Sequence, residues 1–148
     1  MSEQDHRVAL ITGASQGIGA GLVAEYRRRG WAVVATSRTI KPAGDPAVLT
    51  IDGDVSAPTT TDRIIGETLE RFGRIDTLIN NAGIFIAKPF TDYTDEDYEM
   101  VSGVNLRGFF DISRSAIAAM LAHDGGGHLG SVLSTEREVA TTAWPSLR

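Results

Sequence analysis

The sequence of 148 residues predicts a single α/β domain built on a parallel, doubly wound sheet of about five strands. Three observations carry that expectation. Short apolar runs of strand length alternate with longer segments of helical periodicity, Gly- and Asn-bearing turns separate them, and each return to a parallel neighbour needs a crossover that the intervening segments can supply. No internal repeat, linker or low-complexity tract divides the chain, so residues 1–148 are read as one domain.

Val8-Ala9-Leu10-Ile11 forms the first strand and runs into a Gly-bearing turn. Ile18, Leu22, Val23 and Tyr26 follow at helical spacing. Arg27, Arg28 and Arg29 fall in the last turn of that helix and Gly30 just beyond it, as the helix dipole and the C-cap prefer. Residues 31–36 form a second buried strand. A loop with Pro42, Gly44 and Pro46, unfit for helix, leads to a third strand over 48–51. Thr59, Thr60, Thr61 and Asp62 offer N-caps to a helix that runs to Phe72 and ends at Gly73, with Ile64, Ile65, Leu69 and Phe72 as its buried stripe.

Residues 75–79 form a fourth strand, and Asn80-Asn81-Ala82-Gly83 the turn after it. Residues 95–103 and 105–122 are helical, with a bend near Gly103, and the acidic run 92–99 is a solvated helix start. Gly125-Gly126-Gly127 breaks the chain before a fifth strand over 128–133.

Composition excludes several classes of function. Fourteen Lys plus Arg against 19 Asp plus Glu give a formal charge of −5, which opposes nucleic-acid binding driven by phosphate neutralisation. Zero cysteines remove any thiolate nucleophile, disulfide framework or cysteine-held metal, and fit a reducing compartment. The polar start of the chain is unlike a secretory signal, and no apolar run reaches the ~18 residues of a membrane span. A cytoplasmic protein without a membrane partner is expected. No metal site is expected either, because His123 and His128 beside Asp124 match no ligand spacing.

Chemistry concentrates in Thr12-Gly13-Ala14-Ser15-Gln16-Gly17-Ile18-Gly19, between the first strand and the first helix. Glycines there let backbone N–H groups approach a pyrophosphate, and the helix dipole favours its charge. Together with Asp54-Val55, Asn80-Asn81-Ala82-Gly83 and Val104-Asn105, this segment resembles the short-chain dehydrogenase/reductases over residues 7–133, all four motifs standing in family order.

The resemblance implies a Rossmann-like fold, a nicotinamide dinucleotide cofactor, and hydride transfer between it and a small carbonyl or alcohol substrate. By similarity, Gly13, Gly17, Ile18 and Gly19 line the pyrophosphate with Ser15 and Gln16 also at the cofactor, Asp54 and Val55 meet the adenine, and Asn81, Ala82 and Gly83 form the cofactor wall. The residues also have plainer readings: Asp54 as a cap for its turn, Asn80 and Asn81 as turn-formers, and Arg38 as a solvated surface cation.

NADP is preferred over NAD. The second strand ends Ala35-Thr36-Ser37-Arg38, offering a hydroxyl and a guanidinium where an NAD-selective site would place a carboxylate. Gln16 stands where some NADP-using relatives carry a base.

Two catalytic positions are implied. Asn105 matches the family Asn that holds a water and distorts its helix, and Ser134 is the best candidate for the family Ser, with Thr135 and Ser131 as competitors. The family's Tyr-x-x-x-Lys pair is absent: the last Tyr is Tyr98 and the last Lys is Lys88. Residues 134–148 form an atypical tail, so truncation, or a frame change near Leu129, is expected, and with it an incomplete fold. Leu106, Phe109, Phe110 and Ile117 would then lose cover, which favours a homo-oligomer through the 105–122 helix or aggregation. The alternative to a working oxidoreductase is a non-catalytic dinucleotide-binding module or an inactive fragment.

Overall fold

The computed structural model describes residues 6–123 and 127–132. Strands β1 (Val8–Thr12), β2 (Ala32–Ser37), β3 (Val48–Asp52), β4 (Thr77–Asn80) and β5 (His128–Ser131) form one sheet in the order β3-β2-β1-β4-β5. All four pairings are parallel. Helices α1 (Gly17–Arg28), α2 (Pro58–Phe72), α3 (Asp95–Ser102) and α4 (Phe109–Ala122) connect the strands, with a π-helical turn over Gly103–Gly108 joining α3 to α4.

Strand alternation divides the core into two layers. Val8, Leu10, Ala32, Val34, Ile51 and Leu78 face one side and pack with Ile64 of α2 and Ile112, Ala116 and Met120 of α4. Ile11, Val33, Ala35 and Ile79 face the other, where Leu22, Val23 and Tyr26 of α1 cover them. Burial on both faces explains why these strands read as unbroken apolar runs instead of alternating ones.

Three sequence expectations are corrected. The threonines at 59–61 do not cap α2: Pro58 occupies its first turn, Ala57 is the N-cap without a side-chain bond, and Thr60 and Thr61 are buried inside the helix. Proline suits this position because its missing N–H needs no partner there. The buried stripe is also more polar than apolar spacing suggested. Leu69 is partly exposed, whereas Thr68 is fully buried and donates its hydroxyl to the Ile64 carbonyl at 2.6 Å. The fourth strand begins at Thr77 and not at Ile75, and Asp76 just before it accepts the Val8 N–H on its carboxylate at 2.8 Å and pairs with Arg74.

The bend expected near Gly103 is the π-helical turn. α3 carries a capping box in which Thr94 Oγ1 accepts from Asp97 N–H and the Asp97 carboxylate accepts from Thr94 N–H. Asp97 also pairs with Lys88, so the acidic start of this helix is structural.

Candidate functional site

The sheet has one topological switch point, between β1 and β4, where successive connections leave in opposite directions. Open α/β sheets bind ligands in the crevice this creates beyond the strands' carboxyl ends. The loop after β1 and the segment after β4 form its two walls.

The first wall is shaped by glycine. Gly13 lies at φ +64° and Gly17 at φ +55°, a backbone region that L side chains rarely adopt. Gly19, in the first turn of α1, is buried so closely that a Cβ there would stand 2.1 Å from the Gly13 carbonyl oxygen and 2.6 Å from Asn81 Nδ2. Ala14 N–H donates to Thr36 O at 3.1 Å, tying this loop to the end of β2. Ser15, Gln16, Gly17 and Ile18 remain exposed around the N-terminus of α1. Free backbone donors at the positive end of the helix dipole suit a pyrophosphate.

The second wall is fastened to the first. Thr12 Oγ1 accepts from the Asn81 and Ala82 N–H groups at 3.1 and 2.9 Å, and Asn81 Nδ2 donates to Gly13 O at 3.0 Å. Asn80 belongs to β4, not to the turn, and its side chain is buried against α4, donating to Ser113 Oγ at 3.0 Å. Asn80 and Asn81 thus serve opposite sides of the sheet, as strand alternation requires. In the sequence Thr12 and Asn80 stand in the motifs without these partners, Asn80 as a turn-former, and Ser113 is not singled out. The period of two, continued through the Asn pair, was the signal that could have separated their roles.

Asn105 sits in the π-helical turn with its side chain engaged at both ends. Its Oδ1 accepts from Ile84 N–H at 2.8 Å and its Nδ2 donates to Ile84 O at 2.9 Å. This reciprocal amide pair holds the segment after β4, including exposed Gly83, against the turn. Interrupted helices of this kind recur at functional sites because they leave backbone groups outside the regular ladder.

In the loop after β3, Asp54 Oδ1 accepts from Ser56 N–H at 2.9 Å and Ser56 Oγ at 2.7 Å, which is the capping role. Those bonds, with the Arg38 charge adding less, hold its carboxyl below the ordinary carboxylate range. Val55 is buried, and a Cβ on Gly108 would come within 2.9 Å of its Cγ2, so α4 can approach this loop only with glycine there. Ser37 Oγ accepts from Thr39 N–H at 3.2 Å, while Arg38 is exposed. Ser134 lies outside the described residues.

A model of the family described as short chain dehydrogenase matches residues 7–146. Sorbitol dehydrogenase of Cereibacter sphaeroides is 32% identical over 136 residues, covering 88% of this chain and 53% of that protein. Galactitol 2-dehydrogenase of Agrobacterium fabrum is 34% identical with the same coverage. Among solved structures, a 3-ketoacyl-(acyl-carrier-protein) reductase from Brucella melitensis, complexed with NADH, superposes with a TM-score of 0.80 at 31% identity, over 86% of this chain and 57% of that one. A short chain dehydrogenase from Leptospira borgpetersenii with bound NAD+ gives 0.79 at 27% identity, over 85% and 50%. The chain spans about half the length of these curated relatives. Sequence match, strand order and glycine-shaped crevice agree, and the chain belongs to the short chain dehydrogenase family.

Proposed function

We propose that this chain is the cofactor-binding part of an NAD(P)-dependent oxidoreductase that exchanges a hydride with a small carbonyl or alcohol, and that NADP is its preferred cofactor. One observation carries the reading: at the sheet's switch point, two positive-φ glycines open the N-terminus of α1 toward a crevice whose opposite wall is fastened to it through Asn81. The residues fit a dinucleotide. Gly13, Ser15, Gln16, Gly17, Ile18 and Gly19 would hold the pyrophosphate on backbone N–H groups, Asp54 and Val55 would border the adenine, and Asn81, Ala82 and Gly83 would wall the nicotinamide side. Ser37 and Arg38 would meet the 2′-phosphate. When bound, the nicotinamide supplies or accepts the hydride.

For the chain's own residues the chemistry divides unevenly. Asn105 positions the segment after β4 through Ile84, and Ser134 would orient the substrate oxygen. Neither titrates near neutral pH. A positioned acid–base group contributes about 10²- to 10⁴-fold to such a reaction, and Tyr26, Tyr93 and Tyr98 each lack a Lys four residues on. The 148-residue chain by itself is therefore expected to bind cofactor without appreciable turnover, which is also what a non-catalytic dinucleotide-binding module would do. A cytoplasmic setting and self-association through the exposed apolar side of residues 105–122 belong to the same proposal.

Calorimetric titration with NADPH and NADH tests it. Saturable binding that is lost in Gly19→Val is the expected result, and absence of binding to either nucleotide by the folded chain would overturn it. Turnover of a panel of carbonyls and alcohols by the repurified chain would overturn the expectation of inactivity.

A further inference from the structure

Among the described residues Asp111 is the one charged side chain that is buried, at 3% exposure, and it stands in the first turn of α4. A buried carboxylate is costly unless opposite charge and hydrogen bonds compensate it. Here Arg107 Nε donates to Asp111 Oδ2 at 2.5 Å, while Arg114 Nη2 lies 3.5 Å from Oδ1 without a hydrogen bond. The two arginines differ in what they belong to. Arg114 is on α4 itself and also lies over the Phe110 ring, whereas Arg107 is part of the π-helical turn before α4.

That turn meets both loops of the candidate site. Asn105 holds Ile84 through both ends of its amide, and its Oδ1 is 3.5 Å from where a Cβ on Gly83 would stand. On the other side, a Cβ on Gly108 would come within 2.9 Å of Val55, and one on Gly103 within 3.4 Å of Ser56. A π-helical turn is rare because its widened backbone leaves the regular ladder. It also puts Arg107 just before α4, where the positive end of the helix dipole disfavours a cation. Asp111 answers both problems: a carboxylate in α4's first turn suits the dipole, and one turn beyond Arg107 it ties the widened segment to regular helix.

We infer that Asp111 is a positioning residue, which through Arg107 fixes the π-helical turn onto the start of α4 and thereby keeps the Asn105 amide on Ile84 and Gly83 in place. That Gly83 walls the nicotinamide rests on the dinucleotide reading above; the link from Asp111 to Ile84 does not. Burial gives the carboxylate its leverage, because salt and water screen it less than they screen an ion pair lying wholly on the surface. Arg107 is largely exposed, so it can be exchanged without opening the core.

The test is amide exchange in the full chain and in Asp111→Asn, Arg107→Gln, Arg107→Lys and Arg114→Gln, read as Ile84 N–H relative to Leu10 N–H. A charge-assisted hydrogen bond of ordinary strength predicts about 10-fold faster relative exchange at Ile84 in Asp111→Asn and Arg107→Gln. Arg107→Lys, which keeps a cation, should recover most of the protection, and Arg114→Gln should stay within about twofold of the parent. In an Asn105→Ala background, where Ile84 has already lost its partner, Asp111→Asn should add nothing at Ile84. Unchanged relative exchange in both Asp111→Asn and Arg107→Gln overturns the role of Asp111, as does an effect of Asp111→Asn that persists in full beside Asn105→Ala. If Asp111→Asn does not fold, Arg107→Gln at the exposed partner carries the same test. Titration with NADH and with ADP reads the cofactor side: Arg107→Gln should weaken NADH by about 3- to 10-fold and leave ADP within about twofold. Failure of the parent chain to bind NADH overturns the dinucleotide reading but not the link from Asp111 to Ile84, which the exchange rates decide.

Discussion

β1 and β5 are both short parallel strands of one sheet, yet they live in different environments. All five residues of β1 are buried, between β2 and β4 and under helices on both faces. β5 pairs only with β4 among the described strands, and three of its four residues are exposed, Leu129 at 47%. The helix leading to it shows the same contrast across its width. Ile112, Ala116 and Met120 of α4 are buried, while Phe109, Phe110, Ile117 and Leu121 face outward, as does Leu106 just before them. The sheet is therefore a firm half that carries the glycine loop and a thinly covered half that carries the π-helical turn. The glycine loop proposed to hold the cofactor is thus carried by the more deeply buried half.

The largest test of this contrast is a pair of truncations. Leu10→Ala, at a fully buried site in β1, should cost about 2–5 kcal/mol in denaturant unfolding, whereas Leu129→Ala in β5 should stay within about 0.5 kcal/mol. Similar losses at the two sites would show that β5 is as well supported as β1.

A smaller effect is expected where the halves meet. Asn105→Ala removes two hydrogen bonds to the Ile84 backbone, each worth about 0.5–1.5 kcal/mol in net terms. Its partly exposed setting puts the total near the low end. The more specific readout is amide exchange: Ile84 N–H should exchange faster while Leu10 N–H is unchanged. Equal acceleration at both would mean that the substitution loosens the whole domain.

The smallest effect is on acid stability. Hydrogen bonds from Ser56, and after them the Arg38 charge, lower the Asp54 pKa from its ordinary 3.8, so the folded state binds fewer protons at this group than the unfolded one. Its contribution is fully present above pH 3.8 and fades as pH falls through the lower, folded value. Asp54→Asn should therefore match the parent's stability most closely at the acid end of a pH series and differ most near neutrality. A constant offset across the series would assign the difference to something other than ionisation.

Legibility in the sequence followed the range of the interaction. Apolar runs identified all five described strands, and Gly13, Gly17 and Gly19 marked a turn whose backbone N–H groups a pyrophosphate could approach. What these glycines approach was not legible: a Cβ at Gly19 would stand 2.6 Å from Asn81 Nδ2, and Asn81 is far along the chain. Thr59 to Asp62 looked like caps because capping residues are recognised by type, but Pro58 already starts the helix and tertiary packing draws Thr60 and Thr61 inside.

Local chemistry thus determined the element types, the parallel class of the sheet and the anion-ready turn, since periodicity, helix dipole and backbone sterics act within a few residues. Only the tertiary structure decided which side chains were already committed. It spent Asn80 on Ser113 and both ends of the Asn105 amide on Ile84. The physical reason is that a hydrogen bond or ion pair needs a partner at about 3 Å, and chain folding alone brings residues tens of positions apart to that distance.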